Sequence, residues 1–189
     1  MRQRRILTIL RRLAPSLLLA ACATGSGGSP PLEPHARIDL PRYMGAWYVI
    51  ANIPYFGERG NVASRDVYTL NAKGDVDTSY VYRKSFDAPE KSLSSVGVVQ
   101  PDSGEASWIV RFFWLLRADY LILDVAPDYS WALIGQPSRK LGWVFSRSPQ
   151  MSDALYQSLL RKFVAFGYRE TDFRRVAQTR DQLGLPGFQ

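Results

Sequence analysis

Gly45-Ala46-Trp47-Tyr48, answered far downstream by Trp143-Val144-Phe145-Ser146-Arg147, decides the fold of this 189-residue chain. A glycine ahead of an alternating apolar run lets the backbone bend sharply into a strand. Side chains alternate across a strand, so Trp47 lies wholly on one face of it. An arginine closing a later strand can lay its planar guanidinium over that indole and seal one end of a barrel. Gly45, Trp47 and Arg147 are therefore expected to be structural, closing residues.

Working outward, strand-like runs recur at 46–53, 64–70, 76–83, 93–100, 106–114, 119–125, 131–135 and 142–146. Turn-forming segments separate them, among them Asn71-Ala72-Lys73-Gly74, Asp87-Ala88-Pro89 and Pro101-Asp102-Ser103-Gly104. Eight short strands with short links favour an all-β, up-and-down antiparallel β-barrel, which removes exposed sheet edges. A barrel of that size is wide enough for one small ligand. The period then changes. Ser152 suits an N-cap, and Leu155, Leu159 and Phe163, with Tyr156 and Leu160 beside them, predict an amphipathic helix that stops at Gly167. Residues 179–189 read as a poorly ordered tail.

The front of the chain reads differently. Residues 1–21 carry Arg2, Arg4, Arg5, Arg11 and Arg12 ahead of a short apolar stretch, the pattern of an export signal rather than a membrane span. Setting those five arginines aside lowers the formal charge from +7 to about +2, which gives no support for a nucleic-acid partner. Cys22 is the only cysteine, so no intrachain disulfide can form. Residues 22–37, rich in Gly, Ser and Pro, read as a flexible tether, and 38–178 as one barrel domain.

The only histidine, His35, falls in that tether, outside the barrel. Nucleophilic Ser-His or Cys-His sites and His-ligated zinc or haem are excluded as types for the domain. No catalytic constellation, metal site or cofactor is expected. Asp75, Asp77, Glu90 and Asp124 read as solvated strand ends and loops. Aromatic surface stands out instead: Trp108, Val110, Phe112 and Trp114 share one strand face, Tyr120 shares another with Ile122, and Trp143 and Phe145 share theirs with Arg147. Trp143, Phe112, Tyr120, Phe145 and Trp108 are the candidate ligand-binding residues. Arg65, Arg83, Arg111 and Arg117 are candidates for meeting a phosphate or carboxylate head group at the rim.

These segments resemble those of the bacterial lipocalins, outer-membrane lipoproteins of the apolipoprotein D-like branch. The resemblance rests on the run from Asp39 to Ala51, on Glu58-Arg59-Gly60, on Asp128-Tyr129-Ser130-Trp131-Ala132-Leu133-Ile134 and on Trp143 to Pro149. It implies a lipocalin barrel with one helix packed outside and a short ninth strand near 173–176 pairing with the first. Leu19-Ala20-Ala21-Cys22 is similar to the bacterial lipoprotein cleavage box, which implies lipidation of Cys22 and attachment to the outer membrane. Binding of a fatty acid or lysophospholipid, no enzymatic activity, and an occasional homodimer are further implications. Two other readings stay open at this point: an envelope interaction protein with a filled barrel, and a lipid-modifying enzyme.

Overall fold

The computed structural model describes residues 30–35, 37–112 and 116–189. The leader, Cys22 and the first part of the tether lie outside the described residues, as do 113–115, where the fifth strand was expected to end at Trp114. Eight strands form the wall: β1 (Gly45–Asn52), β2 (Val62–Leu70), β3 (Val76–Arg83), β4 (Lys91–Val99), β5 (Ser107–Phe112), β6 (Leu116–Val125), β7 (Trp131–Gly135) and β8 (Gly142–Ser146). Each pairs antiparallel with the next, β8 returns to β1, and β1 also pairs with β2, so the sheet closes on itself. β2 starts earlier than its sequence implied because a bulge between Val62 and Arg65, with Ala63 at φ +48°, carries the strand toward the preceding loop.

Two apolar clusters divide the core. One fills the barrel and holds Trp47, Val49, Tyr68, Val76, Trp108, Val110, Tyr120, Ile122, Ile134 and Phe145. The other lies outside the wall, where Ile50, Leu121, Leu123, Leu133 and Val144 meet the helix α2 (Asp153–Ala165). Its N-cap is Ser152, whose Oγ accepts from the Leu155 amide at 3.3 Å, and Gly167 takes a left-handed φ of +84° just past the end. The buried stripe is Tyr156, Leu159, Leu160 and Phe163. Leu155, expected on the packed face, is 37% exposed, because it lies one position to the side of that stripe.

Past the pair Tyr48–Arg65, β1 and β2 part toward one end of the barrel. A two-residue strand, β9 (Arg174–Arg175), pairs with Ala51 and Asn52 in that gap. Beyond it the Val176 amide donates to the Ile50 carbonyl, the Ala63 amide donates to the Ala177 carbonyl, and Gln178 Nε2 donates to the carbonyls of Val49 and Ser64. This segment stitches the seam.

Two expectations of disorder are corrected. Residues 179–189 fold back over the seam: Thr179 and Gln182 form a capping box, and the Gln189 amide reaches the Arg175 carbonyl at 3.0 Å. The described end of the expected tether is also pinned. Leu32 is buried in the outer cluster, the His35 amide donates to the Ile122 carbonyl at 2.7 Å, and Arg139 holds the Pro30 carbonyl. Apolar burial and backbone pairing outweigh the loop-forming composition of both segments.

Candidate functional site: the lumen and its mouth

The closed end is built by α1 (Leu40–Tyr43) and Arg147. The guanidinium carbon sits 3.7 Å from the centre of the Trp47 ring system and its nitrogens donate to the carbonyls of Ala46, Arg42 and Tyr43 at 2.8 to 3.0 Å. Trp47 Nε1 donates to the Tyr43 carbonyl at 2.8 Å, so the indole is fixed on both its face and its edge. Gly45 holds φ +92°, and a Cβ there would come within 3.4 Å of the Arg147 guanidinium. Gly45, Trp47 and Arg147 thus come together at this end.

Above them the lower barrel is filled. Trp108 and Tyr120 stack at 4.7 Å, nearly parallel, with Tyr43 and Tyr68 set edge-on against Trp108, while Phe145 stacks loosely on Trp47 at 6.5 Å. The three tyrosine hydroxyls form a chain, Tyr43 to Tyr120 at 3.0 Å and Tyr120 to Tyr68 at 2.9 Å. Tyr68 then donates to Asp66 Oδ2 at 3.1 Å. Burial pushes all three phenols well above their ordinary range, so they remain protonated donors.

The upper barrel is less full. Asp66, Tyr80, Phe112 and Trp143 lie on inward-facing strand positions yet keep free surface. The loop over 53–61 folds across them. Its Glu58, 7% exposed, accepts at Oε2 from Asn52 Nδ2 and from Trp143 Nε1, the latter at 2.9 Å. Asn61, wholly buried, donates to the Tyr80 hydroxyl at 3.0 Å and accepts from Lys84 Nζ at 2.7 Å. Phe56, on the same loop, stands 92% exposed.

Two carboxyls thus enter the apolar lumen. Desolvation pushes the Asp66 carboxyl up to about 8, the nearby Glu58 adds to the rise, and the Tyr68 hydrogen bond opposes it. Desolvation also raises Glu58, against the bonds from Trp143, Asn52 and Tyr55. Neither carboxyl forms an ion pair among the described residues.

All five aromatic candidates face inward, at two levels. Trp143 and Phe112 line the upper lumen, Tyr120 lies at its floor with 8% exposure, and Trp108 and Phe145 are covered in the packed half. The four rim arginines do not converge on the lumen. Arg65, Arg83, Arg111 and Arg117 occupy outward-facing positions, out of phase with Asp66, Tyr80, Phe112 and Tyr120, and Arg65 pairs with Glu90 at 2.7 Å. Asp75, Asp77, Glu90 and Asp124 lie in turns or on the outer wall, where Asp124 binds Lys162. Sequence reading missed Asp66 and Glu58. The alternation Ser64, Asp66, Tyr68 on one face carried the signal for the first, whereas Glu58 sits in a loop with no periodicity to place it.

A closed antiparallel barrel with one sealed end, an aromatic floor and a loop-covered mouth defines a small-ligand-binding calyx. Residues 38–178 match a family profile described as a lipocalin-like domain. Temperature-induced lipocalin-1 of Arabidopsis thaliana is 35% identical over 152 residues, covering 75% of this chain and 80% of its own length. Outer membrane lipoprotein Blc of Escherichia coli K12 is 27% identical over 92% of this chain and 98% of that one. Insecticyanin from the tobacco hornworm Manduca sexta superposes with a TM-score of 0.64 at 17% identity, over 82% of this chain and 88% of its own. The chain belongs to the lipocalin family.

Proposed function

We propose that this protein is a lipid-anchored envelope lipocalin that binds a single-chain amphiphile, of the fatty acid or lysophospholipid type, without changing it chemically. The observation that carries this reading is the division of the barrel: a packed aromatic floor beneath an upper lumen where Phe112 and Trp143 keep free apolar surface. Each methylene buried there contributes about 0.8 kcal/mol, which a chain must set against its lost freedom. The anchor is Cys22, acylated at the cleavage box, and several acyl chains would hold the protein durably where one would not. The outer-membrane lipoproteins among its relatives support an envelope location, with roles in lipid storage, transport or membrane maintenance.

Titration of the chain with a lysophospholipid, followed by tryptophan emission, tests this. A saturable change near one ligand per barrel, weakened by Trp143→Ala in a folded protein, is the expected result. The filled lower half favours one competing reading, a barrel occupied by its own aromatics and serving only as an envelope interaction module. Native mass spectra free of both co-purified and added lipid would establish that reading instead.

A further inference from the structure

We infer that residues 187–189 form a strap that locks the 53–61 loop over the mouth, with Gln189 setting how fast the lumen exchanges its ligand. The exchange half of this rests on the proposed role of the lumen as an amphiphile site; the lock itself does not. The loop is fastened at few points. Phe56 stands out in solvent, while the inner side is held through Glu58, bonded to Asn52 and Trp143, and through Asn61, bonded to Tyr80 and Lys84. Asn52 is thus a point where β1 grips the loop, and it is 1% exposed. A carboxamide so deeply buried needs a partner at both ends. Its Nδ2 donates to Glu58, and among the described residues its Oδ1 accepts from Gln189 Nε2, at 3.3 Å. The other end of the Gln189 carboxamide, Oε1, accepts from the Gly60 amide at 3.2 Å. One side chain therefore ties the loop backbone directly and also orients Asn52. Turned over, Asn52 would set Oδ1 against the Glu58 carboxylate, acceptor against acceptor, and lose its grip on the loop.

The strap is itself placed by β9. The Arg175 amide donates to the Gly187 carbonyl at 2.9 Å, and the Gln189 amide donates to the Arg175 carbonyl at 3.0 Å. The Arg175 guanidinium carbon lies 4.9 Å from the ring centres of both Tyr156 and Phe188, and the group also pairs with Asp153 and the Met151 carbonyl. Phe188 and Arg175 together clamp the strap to the start of α2. Beside this clamp, a groove of about 820 Å³, lined by Tyr156 and Leu160 of α2 and by Leu185 and Phe188, leaves the strap's other edge unpacked. A segment held by a few solvent-accessible bonds and one clamp opens locally, at a free energy well below that of the barrel. Lifting it removes both bonds of Gln189 at once, so the opening of the strap and the freeing of the loop are one event.

The test uses the full chain with Cys22→Ser, which removes any acyl group of its own, and sets it against Gln189→Ala and Phe188→Ala in the same background. The Glu58 and Arg59 amides donate to the Tyr55 carbonyl and the Asn61 amide to the Glu58 carbonyl, all within the loop. Their hydrogen exchange therefore reads the lock with no ligand present. In Gln189→Ala these amides are expected to exchange about tenfold faster, while the Ile122 amide, bonded to Ala106 in the wall, is unchanged. Phe188→Ala should accelerate the same amides, because it loosens the strap without touching Asn52 or Gly60. Stopped-flow mixing with lauroyl lysophosphatidylcholine, followed by tryptophan emission, should show association and dissociation both faster by about threefold or more, with Kd moving less than either rate. Loop amides that exchange no faster in Gln189→Ala overturn the lock, and so does an acceleration shared equally by Ile122, which is global destabilisation. Faster loop amides with unchanged ligand rates overturn the control of exchange. If the Cys22→Ser parent binds no lysophospholipid saturably, the amphiphile reading falls, and the amide comparison still decides the lock.

Discussion

Asp66 places a titratable group where its ionised form is costly, and the consequence for stability has a definite sign. Its folded pKa, about 8, lies above the ordinary carboxyl value of 3.8, so the native state holds the proton more tightly than the unfolded chain. The barrel is then most favoured below the unfolded value and loses stability as pH rises through the window from about 4 to about 8. Asp66→Asn keeps the shape and can still accept from Tyr68, and it removes the ionisation. Denaturant unfolding at pH 5 and pH 8 is expected to show the native chain weaker at the higher pH by on the order of 1–3 kcal/mol, with the variant flat. Equal slopes for the two proteins would assign the pH dependence to other groups. At the sealed end Arg147 is a residue of the opposite kind, charged but fully employed. Arg147→Ala removes a donor from the carbonyls of Ala46, Arg42 and Tyr43, the last of which keeps Trp47 Nε1, and takes from Trp47 its stacked partner, and a loss of about 2–4 kcal/mol is expected in the same assay. Arg147→Lys should recover only part of it, because an ammonium cannot both lie flat on the indole and fan out to three oxygens.

Among the elements, the helix shows how far periodicity reaches. Ser152 as N-cap and Gly167 as terminator are legible because capping is local chemistry. Which neighbouring leucine faces the wall is not local, since it depends on how the helix rolls against β1, β6, β7 and β8. Leu159, wholly buried, and Leu155, largely free, separate the two questions. Leu159→Ala is expected to cost about 2–4 kcal/mol and Leu155→Ala under about 1 kcal/mol, read as midpoint shifts in urea. The strands and the lumen divide likewise. Alternation grouped Trp108 with Phe112, Tyr120 with Ile122, and Trp143 and Phe145 with Arg147, but it set an inward phase only for the last group, through Arg147, and the Gly45, Trp47 and Arg147 closure was read from their order and separation. The depth at which each aromatic sits depends on register and on the bulge at Val62–Arg65, which no single strand encodes. The four rim arginines were offered as head-group partners without a phase, and the register places them on the outer wall. The short ninth strand, expected near 173–176 from the family resemblance, is there, whereas the order of the tail was not legible, because it comes from carbonyls that other strands leave unpaired.

At the scale of the whole molecule, the path of the N-terminal segment decides which way the calyx faces. β1 runs from the sealed end at Gly45 to the mouth at Asn52, so the loops over 53–61, 84–90 and 136–141 all lie at the mouth. Residues 30–35 and 37–38 descend the outer wall from Pro30, held by Arg139 of the last of those loops, to Ile38, whose amide meets the Gly104 carbonyl at the sealed end. Pro30 therefore lies on the mouth side, and Cys22 precedes it by eight residues, a span of at most about 28 Å when extended. Phe56 and Leu116, 92% and 64% exposed, project at that end, and Arg59, Lys84 and Lys140 stand exposed around it. An apolar tip ringed by cations suits an anionic bilayer surface, and with the proposed anchor it turns the mouth toward the membrane. Because Cys22 is the sole cysteine and the proposed anchor takes it up, one introduced cysteine can carry an environment-sensitive dye without ambiguity. On the anchored protein in vesicles containing anionic lipid, a dye at Phe56→Cys is expected to shift to the blue. One at Lys73→Cys, in the turn between β2 and β3 at the sealed end, should not. The shift should shrink in neutral vesicles and at high salt if the rim cations contribute. A blue shift at Lys73→Cys alone would invert the molecule, leaving the mouth to draw its ligand from the aqueous side rather than from the bilayer in which the anchor sits.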